Sequence, residues 1–138
     1  MDALLLIGRI LFAILFISSG VMGHLVARAQ LTGYAESKGF PMAGPAVIVS
    51  GVAIILGGIG IAAGIWIDIS ALVIAVFLFF TTFFIHSFWK ETDQMARMMD
   101  MTQFQKDLAL LGASLVFFVV AAYGGDLGPS LTDPLLHL

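Results

Sequence analysis

Few residues in this chain can do chemistry, so where they fall along it matters. Arg9 lies about two turns into the first apolar segment, roughly 9 Å along a helix that rises 1.5 Å per residue. An ionisable group at that depth in a bilayer is costly unless it snorkels to the headgroups or finds a partner. Asp68, at the start of the third apolar segment, and Asp126, just past the fourth, are its expected partners at the same end. At the other end His24 closes the first segment and His86 the third, followed by Phe88 and Trp89, while Lys106 and Asp107 open the fourth. Imidazole changes charge near neutral pH, so two of them beside aromatic rings could handle protons for a quinone-like head group. His24, His86, Trp89 and Lys106 are therefore the candidate ligand-binding residues, and quinone is the one cofactor they suggest. The same residue types also form the ordinary interfacial belt of a membrane protein, with one end apolar and the other wet. Two histidines without a third ligand do not make a metal site, and none is expected. Met95, Met98, Met99 and Met101 offer thioethers, but methionine on one helix face is apolar contact first. No nucleophile–base pair, phosphate loop or carboxylate pair is present in the sequence. No catalytic residue is assigned, and the reading leans against an enzyme.

The elements that must position these residues follow from composition. Of 138 residues, 60% are hydrophobic and 11% charged, and the mean hydropathy is +1.07. A soluble domain carries roughly 45–50% apolar and about 25% charged residues, so this excess belongs in lipid. The net charge of −3 offers no basic face for a nucleic acid. The absence of cysteine excludes disulfides, thiolate metal sites and Cys-x-x-Cys redox chemistry. Four stretches reach the roughly 20 residues that a helix needs to cross a bilayer, at about 3–22, 43–66, 68–89 and 104–123. Helix is their only plausible state, because an open sheet leaves backbone groups unpaired in lipid. The chain is thus expected to be one all-α domain, a four-helix transmembrane bundle over residues 1–138. The first segment lacks a basic n-region and is interrupted by Arg9, so a retained helix rather than a cleaved signal is expected.

The turn from Gly64 to Ser70 makes the second and third helices antiparallel neighbours. In the first long connection, Thr32–Lys38 followed by Gly39 and Pro41 predicts a short helix. In the second, Met95, Met98 and Met99 opposite Asp93, Arg97 and Asp100 predict another, lying in the interface. Gly125, Gly128, Pro129 and Pro134 predict an irregular tail over 124–138. Arg28, Lys38, Lys90, Arg97 and Lys106 fall on the long-connection side against Arg9 alone on the other. That asymmetry favours cytoplasmic long connections and non-cytoplasmic termini. Ala53, Gly57, Gly60 and Gly64 form a small-residue stripe suited to close packing. Ser19 with Gly23, and Ala109 with Ala113, repeat the pattern on the first and fourth helices. Packing within one bundle is expected, with a homo-oligomer through the same face as the alternative. The phenylalanines of the third helix would fill the bundle or face lipid.

Several pieces recur in order: Gly8-Arg9 with Phe16, Ser19 and Gly20; Lys38-Gly39-Phe40-Pro41; Ser50-Gly51 and Gly57-Gly58; His86-Ser87-Phe88-Trp89; and Lys106 to Gly112. As an ordered set, from about residue 8 to 115, they resemble the DoxX family of small bacterial membrane proteins. The resemblance implies a multi-pass bundle in the bacterial inner membrane. It also implies an accessory or non-catalytic subunit linked to quinone or redox-stress machinery, with a membrane or peripheral protein partner. The alternatives are a quinone-reactive oxidoreductase subunit of the thiosulfate:quinone type, and binding or transport of a small amphiphile. The chain departs from the family pattern at Ile54, where relatives often carry a glutamate. Ser87 stands for a proline, Asp107 for an asparagine, and Asp68 near a basic position. Loss of the intramembrane glutamate removes a proton-handling group and weakens the enzyme reading.

Overall fold

Long apolar runs in lipid can satisfy their backbone only as helices, and the computed structural model, which describes residues 1–138, is helical throughout its regular structure. The first span is α1 (Asp2–Ser18), continued by π-helical turns over Ser19–Val26. A short α2 (Arg28–Ser37) precedes α3 (Ala43–Ala63). The third span is α4 (Ile67–Phe80), continued by π-helical turns over Thr81–Ile85 and a 3₁₀ turn at Phe88–Lys90. The last helix, α5, runs from Gln94 to Ala122. Four of these helical stretches are long and apolar enough to cross a membrane.

The methionine-bearing segment expected as a separate interfacial helix is instead the opening of α5. Nothing between Gln94 and Leu111 breaks a helix, and Asp93 caps its start by accepting a hydrogen bond from Ala96 N at 2.9 Å. At 1.5 Å per residue its 29 residues span about 43 Å, longer than a hydrocarbon core of about 30 Å. Its first turns therefore project beyond the bilayer core.

Central to the bundle is α3, which touches α1, α2 and α4, while α4 packs along α5. Its glycines form two stripes rather than one. A Cβ on Gly51 would overlap the Cβ of His24, and one on Gly58 would lie 2.8 Å from Ile17 Cγ1, so this face meets α1 almost backbone to backbone. A Cβ on Gly60 would overlap Ser70 Oγ, so the second face meets α4. Between them sits the core of Phe16, Ile54, Ile61, Ala71, Ile74 and Leu78. Ile54 is fully buried there, an apolar residue at the position where the resemblance leads one to expect an acid. On α5 the inward face is not Ala109 and Ala113 but Asp100, Asp107, Ser114 and Ala121, all buried at seven-residue intervals. Phe79, Phe80 and Phe84 remain nearly half exposed, as lipid-facing rings should be.

Close approach at Gly51 makes a direct prediction. Gly51→Val should separate α1 from α3 and destabilise by on the order of 1–3 kcal/mol, as overpacking does. Gly112, which has open space around it, should accept alanine with no loss. Thermal unfolding of the detergent-solubilised protein checks both, and equal midpoints for the two variants would contradict this packing.

Candidate ligand-binding site

Both π-helical stretches lie at the long-connection end, and each delivers a histidine. An i→i+5 hydrogen bond widens the turn, and such turns are rare. Here Ala27 N donates to Met22 O and His86 N to Thr81 O. His24 lies within the first stretch and His86 caps the second. Periodicity in the sequence gives no sign of either stretch, because it assumes one turn geometry throughout.

The widened turns border a partly open cavity of about 750 Å³. Its walls are mainly apolar, with Phe16, Val47, Ala53, Phe77 and Leu110 among them, and it also reaches His24, Ser50, Tyr34, His86, Lys106 and Asp107. His24 is 7% exposed, with Nδ1 3.0 Å from both Val47 O and Ser50 Oγ. A carbonyl can only accept, so Nδ1 carries a hydrogen that it donates to Val47 O. His24 also meets Phe77 edge-on at 5.6 Å between ring centroids.

His86 is held differently. Its Nδ1 lies 3.6 Å from Asp100 Oδ1 and its Nε2 3.7 Å from Asp107 Oδ2. Those separations are longer than hydrogen bonds, and Nδ1 is buried with no hydrogen-bond partner. Asp107 also lies 3.5 Å from the ammonium of Lys106, which is about half exposed. Behind His86, Asp100 accepts a 2.6 Å hydrogen bond from Tyr34 and pairs with Lys38, which also pairs with Glu91. The Lys38 ammonium stands over the Tyr34 ring, 5.3 Å from its centroid. Burial and the Asp100 carboxylate push the Tyr34 hydroxyl up to about 12. For Lys38, burial alone would lower the pKa, but the hydrogen bonds to Asp100 and Glu91 outweigh it and the pKa is raised.

Of the four candidate ligand residues, His24, His86 and Lys106 line this one cavity. Trp89 does not line it. It is half exposed and meets Phe88 and Phe104 edge-on at 5.3 and 5.8 Å, as an interfacial-belt residue would. Asp100, Tyr34 and Lys38 were not among the candidates. The seven-residue spacing of Asp100, Asp107 and Ser114 was the available sign that these carboxylates share an inward face. No group of three or more His, Asp or Glu residues is placed to hold a metal ion.

Arg9 occupies the opposite end and is not ion-paired. It is 1% exposed and donates to Ala62 O at 3.1 Å, Leu127 O at 3.1 Å, Pro129 O at 2.6 Å and Ser130 Oγ at 3.2 Å. Neither Asp68 nor Asp126 forms an ion pair with it, correcting the pairing expected from the sequence. Asp68 accepts instead from Leu136 N at 2.7 Å, and Asp126 from Gly128 N at 2.8 Å in an Asx-type turn. The reason lies in the tail, which is irregular as its glycines and prolines imply. It folds back over the helix ends, turning at Gly128 with φ +87°. Its carbonyls reach Arg9, and Ala62 adds a carbonyl left free at the C-terminal, negative end of α3. Leu131 N and Thr132 N both donate to Gly64 O at 2.9 and 3.1 Å. Gly64 itself has φ +71°, and a Cβ there would lie 2.5 Å from Ser130 Cα, so the tail fits only against glycine.

Two predictions follow from these ends. Arg9→Met should strip the tail carbonyls of their donor and destabilise by about 1–3 kcal/mol. Hydrogen exchange over residues 127–138 should accelerate at least as much as in the core, and an unchanged tail would contradict the anchoring. Tyr34 holds its proton more tightly folded than unfolded, where the ordinary value is 10.0, and Lys38 shifts in the same direction. Their stabilisation is complete below about pH 10 and falls as pH rises toward about 12. The melting temperature should drop across that range, and Tyr34→Phe should shrink the drop.

A family model described as DoxX matches residues 4–87, more than half of the chain. No curated protein and no solved structure matches the chain. The match runs from the start of α1 through His86 and stops short of α5, whose Lys106 to Gly112 run also entered the resemblance seen in the sequence. With four helices long and apolar enough to cross a membrane, this multi-pass membrane protein belongs to the DoxX family.

Proposed function

We propose that this DoxX-family protein is a non-catalytic membrane subunit that holds one small amphiphile between its helices, polar head toward the histidines. The cavity of about 750 Å³ carries the reading, with mainly apolar walls and a minority of polar groups that includes His24, Ser50, Tyr34, His86, Lys106 and Asp107. Ligand sites are commonly clefts of about 300–1,000 Å³ lined by apolar side chains and a few convergent polar groups. Quinones are one class of that build, and the family resemblance ties such a subunit to quinone or redox-stress machinery in the bacterial inner membrane. The basic residues of the long connections support placing this polar end on the cytoplasmic side. His24 Nδ1 is held by Val47 and Ser50, which fixes its ring in the cavity wall.

Native mass spectrometry after gentle detergent extraction tests the proposal. The protein should carry one additional small-molecule mass and a stoichiometric partner chain. Ala53→Phe, which fills the cavity from α3, should remove the small molecule and leave the melting temperature within a few degrees. A bare chain from the unaltered protein would sink the amphiphile reading, and a solitary chain would sink the subunit reading.

A further inference from the structure

The charges around His86 do not balance. Three carboxylates, Glu91, Asp100 and Asp107, face two ammonium groups, Lys38 and Lys106. Restricting the count to well-buried groups gives the same deficit, with Asp100 and Asp107 against Lys38 alone. An uncompensated charge at low dielectric is costly, so the cluster needs one further positive charge. His86 stands between both carboxylates and is the group placed to supply it as an imidazolium. Every other group near it is accounted for: Tyr34 and Lys38 from α2 and the loop after it, Glu91 from the turn before α5, and Asp100, Lys106 and Asp107 from α5. His24, which lines the same cavity, is held by Val47 and Ser50.

The loose geometry leaves that positive charge replaceable. Asp107 lines the cavity with a side chain only 7% exposed, yet its two cationic neighbours lie at 3.5 and 3.7 Å, beyond a good hydrogen bond. Lys106 is about half exposed and can extend toward water. A neutral ligand would leave the cluster's charge untouched, and an anionic one would deepen the deficit. Phe16, Tyr34, Phe40 and Phe77 also line the cavity, and aromatic rings attract a desolvated cation.

We propose that the amphiphile held in this cavity is a lipophilic cation, seated beside Asp107 in exchange for the proton on His86. This rests on the reading of the cavity as a ligand site and narrows its ligand class. The exchange is one for one: the cation enters, the imidazolium N–H proton leaves to water, and the cluster stays neutral throughout. Protons and cations then compete, so affinity rises with pH.

Calorimetric titration of the purified protein with tetraphenylphosphonium tests this, at pH 6 and pH 8, in buffers of different ionisation enthalpy. About one proton should be released per cation bound, with affinity gaining up to about tenfold per pH unit while His86 is protonated. His86→Gln should abolish the release and make binding independent of pH. Asp107→Asn should weaken binding at least tenfold, with melting temperatures reporting that both variants fold. Uncharged tetraphenylsilane, of the same shape, should bind far more weakly. Cation binding without proton release, or equal binding of the uncharged isostere, would overturn the inference while leaving the ligand cavity standing. Failure of both probes to bind would count against the cavity reading itself.

Discussion

The carboxylate of Asp100 ties together the end of the bundle that carries the cavity. It reaches from α5 to the Tyr34 hydroxyl on α2 and the Lys38 ammonium beyond it, and it stands beside the His86 imidazole that caps the π-helical turns after α4. Lipid offers no water to a polar group left unpaired, so these side chains hold one another in place or the end opens. Because α5 runs unbroken from Gln94, its first turns bring Asp100 and Asp107 onto the other helices. A separate interfacial helix would have carried them away along the membrane surface. Continuity of α5 is therefore what creates the polar end of the cavity.

The opposite end solves the same problem with neutral acceptors. Arg9 is enclosed by three carbonyls and a hydroxyl, most of them from the tail. Backbone dipoles spread the stabilisation over several partners, and the free carbonyl of Ala62 adds the negative end of α3. The irregular tail is thus a fitted lid over the helix ends, held at Gly64, Asp68 and Ala122 as well as at Arg9. One end is closed by carboxylates gathered around Lys38 and His86, the other by a cation held by neutral acceptors.

Between the two ends, packing decides where space remains. Glycines let α1 and α4 lie against α3 along most of its length, and Ile54 fills the centre where an acid would have brought polarity. Toward the long connections the π-helical turns widen α1 and α4, and the walls draw apart around Val47, Ala53 and Phe77. The cavity lies where close contact gives way to widened helices, and both histidines are delivered by the widening.

The number of spans, their helical state and the short turn at Gly64 were written in the sequence, because hydrophobic length and the need to satisfy backbone groups in lipid leave no alternative. The types of residue able to do chemistry were equally plain, since so few are charged or aromatic-polar. His24, His86 and Lys106 could be grouped at one end by counting crossings. Partnership could not be read this way. Which carboxylate meets His86, and whether Arg9 meets Asp68 or a folded-back carbonyl, depends on helix rotation and on the path of an irregular tail. Neither leaves a periodic trace in one dimension. The heptad of Asp100, Asp107 and Ser114 came nearest, because rotation about a single helix axis is the one tertiary quantity that spacing records. The sequence alone determined a DoxX-like four-span bundle with a histidine-bearing end. Only the tertiary structure made that end a cavity, because cavities arise from how helices diverge, and divergence depends on the contacts between elements.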